Sequence, residues 1–117
     1  DSLPLAKRIS GGGAHSAVVV KKGQLFTVGD NRLGQLGIRR SEATQTSYFR
    51  PVTALDCGVR LAACGAQHTL CLTSRGTVVG FGRNSEGQLG TGALSECEEV
   101  PALALVERSL EGRVMVY

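Results

Sequence analysis

Two histidines are the residues of this chain best suited to acid–base chemistry. His15 and His68 are the only histidines, and they occupy equivalent places in two similar segments that lie 53 residues apart. A side chain that recurs in successive structural units lies a whole unit away from its copy, so the two imidazoles cannot converge on one substrate. We therefore expect both histidines to be structural, each hydrogen-bonded to a neighbouring turn.

The cysteines and carboxylates show no spacing typical of a metal or catalytic site. No Cys-x-x-Cys pair occurs among the four cysteines, which are Cys57, Cys64, Cys71 and Cys97. Cys64 and Cys71 lie in apolar segments, where a free thiol behaves as a small buried hydrophobe and fits a reducing compartment. Glu98 and Glu99 are adjacent and far from either histidine in sequence. We expect no catalytic residue, no metal and no cofactor.

Three consecutive glycines at residues 11–13 could suggest a phosphate-binding loop. They lead into a predicted strand, whereas a phosphate loop leads into a helix whose N–H groups bind the anion. No Lys-Ser or Lys-Thr pair follows them. We therefore expect no phosphate site there.

Paired basic residues occur at two places. Lys21 and Lys22 lie at a predicted hairpin turn, and Arg39 and Arg40 lie in a long predicted loop. They are either solvated surface charges or a contact for an acidic partner such as a small GTPase, an acidic histone surface or nucleic-acid phosphate. Nucleic acid is the weakest of these, because a net charge of +3 and a pI near 8.9 fall short of a nucleic-acid-binding footprint.

The composition is that of one soluble domain. Of 117 residues, 42% are apolar, and the longest apolar runs are four or five residues, against the roughly 20 that a membrane span needs. No charged-then-apolar signal segment opens the sequence. We expect an intracellular protein, cytoplasmic or nuclear, without a membrane span.

A repeat organises the chain. Residues 10–37 match residues 63–90 with nine identities in 28 positions, and a period of this order is typical of propellers and solenoids. Most identities are glycines, which turns need for positive φ or close backbone approach, while amides next to glycines satisfy loop carbonyl and N–H groups. The structural motif positions are Gly12 and Gly65, His15 and His68, Gly23 and Gly76, Gly29 and Gly82, Asn31 and Asn84, Gly34 and Gly87, Gln35 and Gln88, Leu36 and Leu89, Gly37 and Gly90.

Each copy predicts an antiparallel sheet of about four strands with a tight hairpin at its centre. Four consecutive apolar residues from Ala17 to Val20 indicate burial on both faces of the sheet, which stacked sheets would supply. The strands are predicted over residues 7–10, 16–21, 25–29 and 51–55 in the first copy and 59–64, 69–74, 77–82 and 101–106 in the second.

Two glycine-poor stretches, 38–50 and 93–105, are predicted to be variable loops, and the second could hold one helical turn. The closely spaced glycines elsewhere argue against longer helices. We place repeat one at about 7–56, repeat two at about 57–110 and the first strand of a third repeat at 113–117, which aligns with 60–64.

Residues 64–92, CGAQHTLCLTSRGTVVGFGRNSEGQLGTG, resemble the repeat of the regulator of chromosome condensation family. The first copy matches more loosely, through GGGAHS at 11–16 and GDNRLGQLG at 29–37. The resemblance covers almost the whole chain as two repeats. It implies an all-β fold, a partial β-propeller with two four-stranded antiparallel blades of a ring of about seven.

Two blades cannot close a ring, because both outer sheets would present unpaired faces and edges. We therefore expect the remaining blades to come from the parent chain or from other subunits. A stable, soluble monomer of 12.2 kDa in size-exclusion chromatography would count against this expectation.

The leading functional hypothesis is a protein–protein interaction module, a scaffold or regulatory surface, and not an enzyme. The alternatives implied by the resemblance are guanine-nucleotide exchange on a Ran-like small GTPase and chromatin association, the latter needing a basic tail that the sequence lacks. The repeat motif is shared by binders and exchangers, so exchange residues cannot be mapped onto it. Nucleotide release from candidate GTPases, with and without the full-length protein, separates the two.

Overall fold

The computed structural model describes residues 6–11, 13–104, 106–108 and 114–116, which form two four-stranded antiparallel sheets and one pair of short strands. The first sheet consists of β1 (Ala6–Gly11), β2 (His15–Val20), β3 (Leu25–Asp30) and β4 (Gln45–Pro51). The second consists of β5 (Val59–Cys64), β6 (His68–Thr73), β7 (Val78–Arg83) and β8 (Cys97–Leu103). The pair is β9 (Val106–Arg108) and β10 (Val114–Val116).

The two sheets are built alike. Their strands follow sequence order, and each neighbouring pair is antiparallel. Each sheet has a register shift between its third and fourth strands. The shift lies at Val28 of β3 in the first sheet and at Phe81 of β7 in the second. Eight of the repeated glycines have positive φ, as turns and bulges require: Gly23, Gly29, Gly34, Gly37, Gly76, Gly82, Gly87 and Gly90.

The predicted all-β class is confirmed, and the first three strands of each copy lie close to their predicted positions. A fourth strand forms in each sheet, but the predicted ranges 51–55 and 101–106 are displaced. β4 and β8 begin six and four residues earlier and share only Pro51 and residues 101–103 with those ranges. Both lie at the outer edge of a sheet, where β4 is half-buried or exposed and shows no regular hydrophobic alternation. Strands therefore occupy much of the predicted loops, and 93–104 contains no helical turn.

The structural role of Gly12 and the third-repeat strand at 113–117 remain predictions. Gly12 and the two ends of that strand, Arg113 and Tyr117, lie outside the described residues. A strand does form at Val114–Val116, where it pairs with β9, and its assignment to a third repeat is still a prediction. No helix in the described part of the chain is long and apolar enough to cross a membrane.

The core lies between the two sheets. The whole run Ala17 to Val20 is buried, as predicted for a sheet covered on both faces. The buried cluster draws on both copies, with Phe81 the largest member, and it contains Ala17, Val19, Leu25, Val52, Val59, Cys71 and Phe81. Burial of this shared cluster fixes the two sheets against each other.

Candidate functional site

The sheets have two ends with different chemistry. We call the end formed by the turns 21–24 and 74–77 and by the connection 52–58 the hairpin end, and the end formed by the loops 31–44 and 84–96 the loop end. The Val59 N–H donates to the Gly23 carbonyl (2.8 Å), which aligns the hairpin ends of both sheets. Lys21 and Lys22 therefore lie at one end, and Arg39 and Arg40 at the other. The structure does not bring the two predicted basic pairs together.

The hairpin end is basic. Lys21, Lys22 and Arg75 are exposed there, and Asp56 is the one carboxylate in its three segments. Arg75 lies 3.1 Å from Asp56, an exposed pair worth little free energy. Neither lysine has an ion-pair partner within the described residues. The two lysines thus leave this end with uncompensated positive charge.

Arg40 links the first sheet to the second. Its backbone N–H donates to the Glu99 carboxylate (2.6 Å), and its guanidinium lies 3.4 Å from the same group. The Arg40 N–H and the guanidinium charge lower the pKa of Glu99 below its usual value. Because Arg40 already has this partner, it is less available to another molecule than the exposed Arg39.

Asn31 fixes the loop that carries these arginines. Its Nδ2 donates to the carbonyls of Ile38 (2.6 Å) and Ala43 (2.8 Å), and its Oδ1 accepts the Leu36 N–H (3.0 Å). Asn84 makes the matching bonds in the second copy, to the Ala93 carbonyl and from the Leu89 N–H. Both amides are buried, so the long loop of each copy has a defined shape.

His15 joins the sheets through a hydroxyl group. The Thr69 Oγ1 donates to the Gln35 carbonyl (2.7 Å) and therefore accepts from His15 Nε2 (2.9 Å). All three residues are buried, and the partner of His15 is a strand residue of the second sheet rather than the predicted turn. This geometry assigns the proton of neutral His15 to Nε2 and leaves Nδ1 without a hydrogen-bond partner.

Acid should weaken the contact between the sheets. Burial is the largest effect and lowers the pKa of His15 below 6.5, because protonation would bury a charged N–H at Nδ1. A backbone hydrogen bond with His68 and the charge of Asp30 oppose this lowering, and the charge of His68 adds to it. A folded-state pKa below the unfolded value stabilises the fold above about pH 6.5, and that contribution is lost as the pH falls below this value. We expect the free energy of unfolding in urea to decrease from about pH 7.5 to about pH 5.

The histidines themselves provide the control. Burial also lowers the pKa of the less buried His68, so His68→Gln should remove a smaller share of the pH dependence than His15→Gln. Equal slopes in the wild type and in His15→Gln would contradict the assignment.

The second sheet exposes the face that the first sheet buries. His15, Ala17 and Val19 pack against the second sheet, whereas their counterparts His68, Leu70 and Leu72 are only half-buried. The side chains that alternate with them along β6 are buried against the first sheet. The outer face of the second sheet therefore has the pattern of a surface that another sheet would cover.

Sequence comparison of the two copies missed Thr69. Its counterpart is Ser16, so the position is not identical, although both residues carry a hydroxyl group. Counting Ser and Thr as equivalent would have marked it. The comparison of the two copies also missed Glu99. This residue lies on β8 of the second sheet, 59 residues from its partner Arg40.

None of the four cysteines forms a disulfide bond among the described residues. Cys71 is buried, and burial raises its pKa to about 12, so the thiol is an unreactive core group. Cys64 is half-buried and packs against the same core. Within the described ranges no three His, Cys, Asp or Glu side chains are grouped as a metal ion would require.

Comparison with known proteins gives one consistent result. The family models for the regulator of chromosome condensation (RCC1) repeat match residues 22–72 and 59–88. Over 85 residues the chain is 48% identical to the secretion-regulating guanine nucleotide exchange factor of Bos taurus, which covers 72% of this chain and 18% of that protein. It is 41% identical over 92 residues to the human X-linked retinitis pigmentosa GTPase regulator, covering 75% of this chain and 8% of the relative.

Solved structures show the same architecture. Human WBSCR16 superposes with a TM-score of 0.74 and 31% identity, over 87% of this chain and 28% of that one. Prp20p of Saccharomyces cerevisiae superposes with a TM-score of 0.73 over 89% of this chain and 27% of that one, at 19% identity, which supports the fold alone. The two sheets are thus adjacent blades of a β-propeller, and the chain spans about a fifth of the length of the first relative it matches.

Proposed function

Because this chain belongs to the regulator of chromosome condensation repeat family, we propose that it forms part of a propeller that binds protein partners through the hairpin end of its blades. The observation that carries the proposal is the pair of exposed, unpaired lysines, Lys21 and Lys22, beside Arg75 of the next blade. Hairpin turns of successive blades project from the same rim, so one partner can contact both. Cations concentrated on one rim steer the association of an acidic partner.

The exposed face of the second blade supports the expectation of further blades. His68, Leu70 and Leu72 need a covering sheet of the kind that the second blade provides for the first. We propose that a third blade, from the parent chain or another subunit, packs on this face. The partner surface would then continue along the rim.

The partner class is an acidic protein surface. Prp20p has binding properties toward Gsp1p and histones, which are proteins, although its 19% identity with this chain supports only the fold. We propose a small GTPase or an acidic histone surface as the partner of this chain. An intracellular location, cytoplasmic or nuclear, follows from that proposal.

Reversing the charge of both lysines should weaken binding to such a partner. For Lys21→Glu with Lys22→Glu we expect a Kd raised about tenfold or more at low salt, mainly through slower association, with a smaller effect at high salt. The Kd and the association rate are measured for a Ran-class GTPase and for a core histone dimer binding to the immobilised protein, each at two salt concentrations.

Arg39→Glu is the matched control, because Arg39 is an exposed cation at the opposite end of the blade. Binding that survives the double lysine reversal and disappears in Arg39→Glu would place the contact at the loop end and refute the proposal. Both lysines are exposed and unpaired, so the double variant should keep its melting temperature.

Guanine-nucleotide exchange is the second candidate, favoured by the name of the 48% identical relative. Exchange needs no covalent catalysis by the propeller, so the lack of a recognisable catalytic set in the sequence is compatible with it. Acceleration in the nucleotide-release assay described above would favour exchange over simple binding.

A further inference from the structure

A groove lies along the outer edge of the two blades. It is bordered by β4 of the first blade and by Glu99 on β8 of the second, with a volume of about 290 Å³. Ile38 is buried beneath it, and Pro51 and Ala54 form part of its wall. The groove is large enough for one or two side chains. It runs between the two ends of the sheet, with Arg39 and Glu42 of the loop 31–44 on one side and Ala54 of the connection 52–58 on the other.

Two guanidinium groups border this groove. Arg39 is exposed and has no ion-pair partner in the described part of the chain. Arg50 lies 3.6 Å from Glu42, too far for a good charge-assisted hydrogen bond. Glu99, the other carboxylate of the lining, is already bound by Arg40. The groove therefore offers one cation without an ion pair, Arg39, whose charge has only a minor effect on Glu99, and one weakly paired cation, Arg50.

The backbone beside the groove is also accessible. β4 is the outer strand of its sheet and has no further strand beside it within the described residues. Most of its residues, including Tyr48, are exposed. An extended peptide can use the free N–H and C=O groups of such an edge while its side chains enter an adjacent pocket.

The geometry points to a second interaction site: the groove binds an extended acidic peptide segment whose carboxylate lies between Arg39 and Arg50. The charge of the lining selects a carboxylate, the edge strand selects an extended backbone, and Ile38, Pro51 and Ala54 accept the apolar part of the side chain. Glu42 competes with the peptide for Arg50. The site is separate from Lys21 and Lys22, so either proposal can fail without the other.

The test is a selection of random 12-residue peptides displayed on phage against the intact protein, with Kd values measured by fluorescence polarisation. We expect the selected peptides to carry at least one Asp or Glu. Their Kd should rise about tenfold in Arg39→Glu and in Arg50→Gln, and fall about threefold in Glu42→Gln, where the competing carboxylate is removed.

Arg60→Glu, at an exposed cation of β5 that does not line the groove, is the control and should leave the peptide Kd unchanged. Circular dichroism melts of the groove variants report whether each remains folded, and the gain of affinity in Glu42→Gln cannot arise from unfolding. The proposal is overturned by a selection that yields no binding peptide, by peptides without a carboxylate, or by acidic peptides whose binding ignores Arg39 and Arg50.

Discussion

Gly34→Ala should destabilise the protein by about 3 kcal/mol or more, as measured by urea unfolding. Gly34 has a φ of +80°, which a residue with a Cβ adopts at a cost of about 1–2 kcal/mol. A Cβ at this position would also lie 2.8 Å from the Glu99 Cα and 2.9 Å from the Glu98 carbonyl oxygen. Both are backbone atoms of β8 in the second blade, so the substitution would push the blades apart.

The repeat supplies the control for this prediction. Gly87 has the same place in the second copy and a φ of +74°, but its Cβ would meet only the end of the exposed Leu94 side chain, at 3.4 Å. Gly87→Ala should therefore cost only the backbone strain, about 1–2 kcal/mol. Equal losses of stability in the two variants would show that close contact between the blades is not what requires glycine at position 34.

The sequence predicts the inner strands well because their hydrophobic pattern reflects burial. Ala17 to Val20 are buried on both faces and flanked by glycine turns, and such a run has few other structural solutions. The outer strands carry no such pattern, since residues such as Tyr48 face solvent. Their position is set by pairing with β3 and β7, which a local window does not contain.

The candidate site is less predictable than the fold for a related reason. Adjacent basic residues mark both Arg39 and Arg40, yet only the structure shows that Arg40 is held by Glu99 and Arg39 is free of an ion pair among the described residues. Arg50 escapes sequence-based prediction, because a single arginine before a proline has no local signature. Its role follows from loop 31–44 folding back beside β4, a contact fixed by tertiary structure.

Thr69→Val should cost about 2–4 kcal/mol, because one hydroxyl group serves two buried partners. Valine has nearly the same shape, so the loss is chiefly that of hydrogen bonds. Without Oγ1, the His15 Nε2–H and the Gln35 carbonyl both lose a partner at the blade interface, and each buried polar group left unsatisfied costs about 1–3 kcal/mol. Thr69→Ser, which retains the hydroxyl, should recover most of the stability.

Ser16 separates the contact between blades from a general effect of removing a strand hydroxyl. It stands at the same position of the first copy, is only half-buried, and its side chain has no hydrogen bond within the described residues. Ser16→Ala should therefore change the free energy of unfolding by less than about 0.5 kcal/mol.

If a third blade covers the second, the residue of that blade equivalent to Thr69 should accept a hydrogen bond from His68 in the same way. Adding that blade should then lower the exposure of His68 and extend the pH dependence that His15 already provides, whereas a third blade that leaves His68 unchanged would contradict the repeated hydrogen bond.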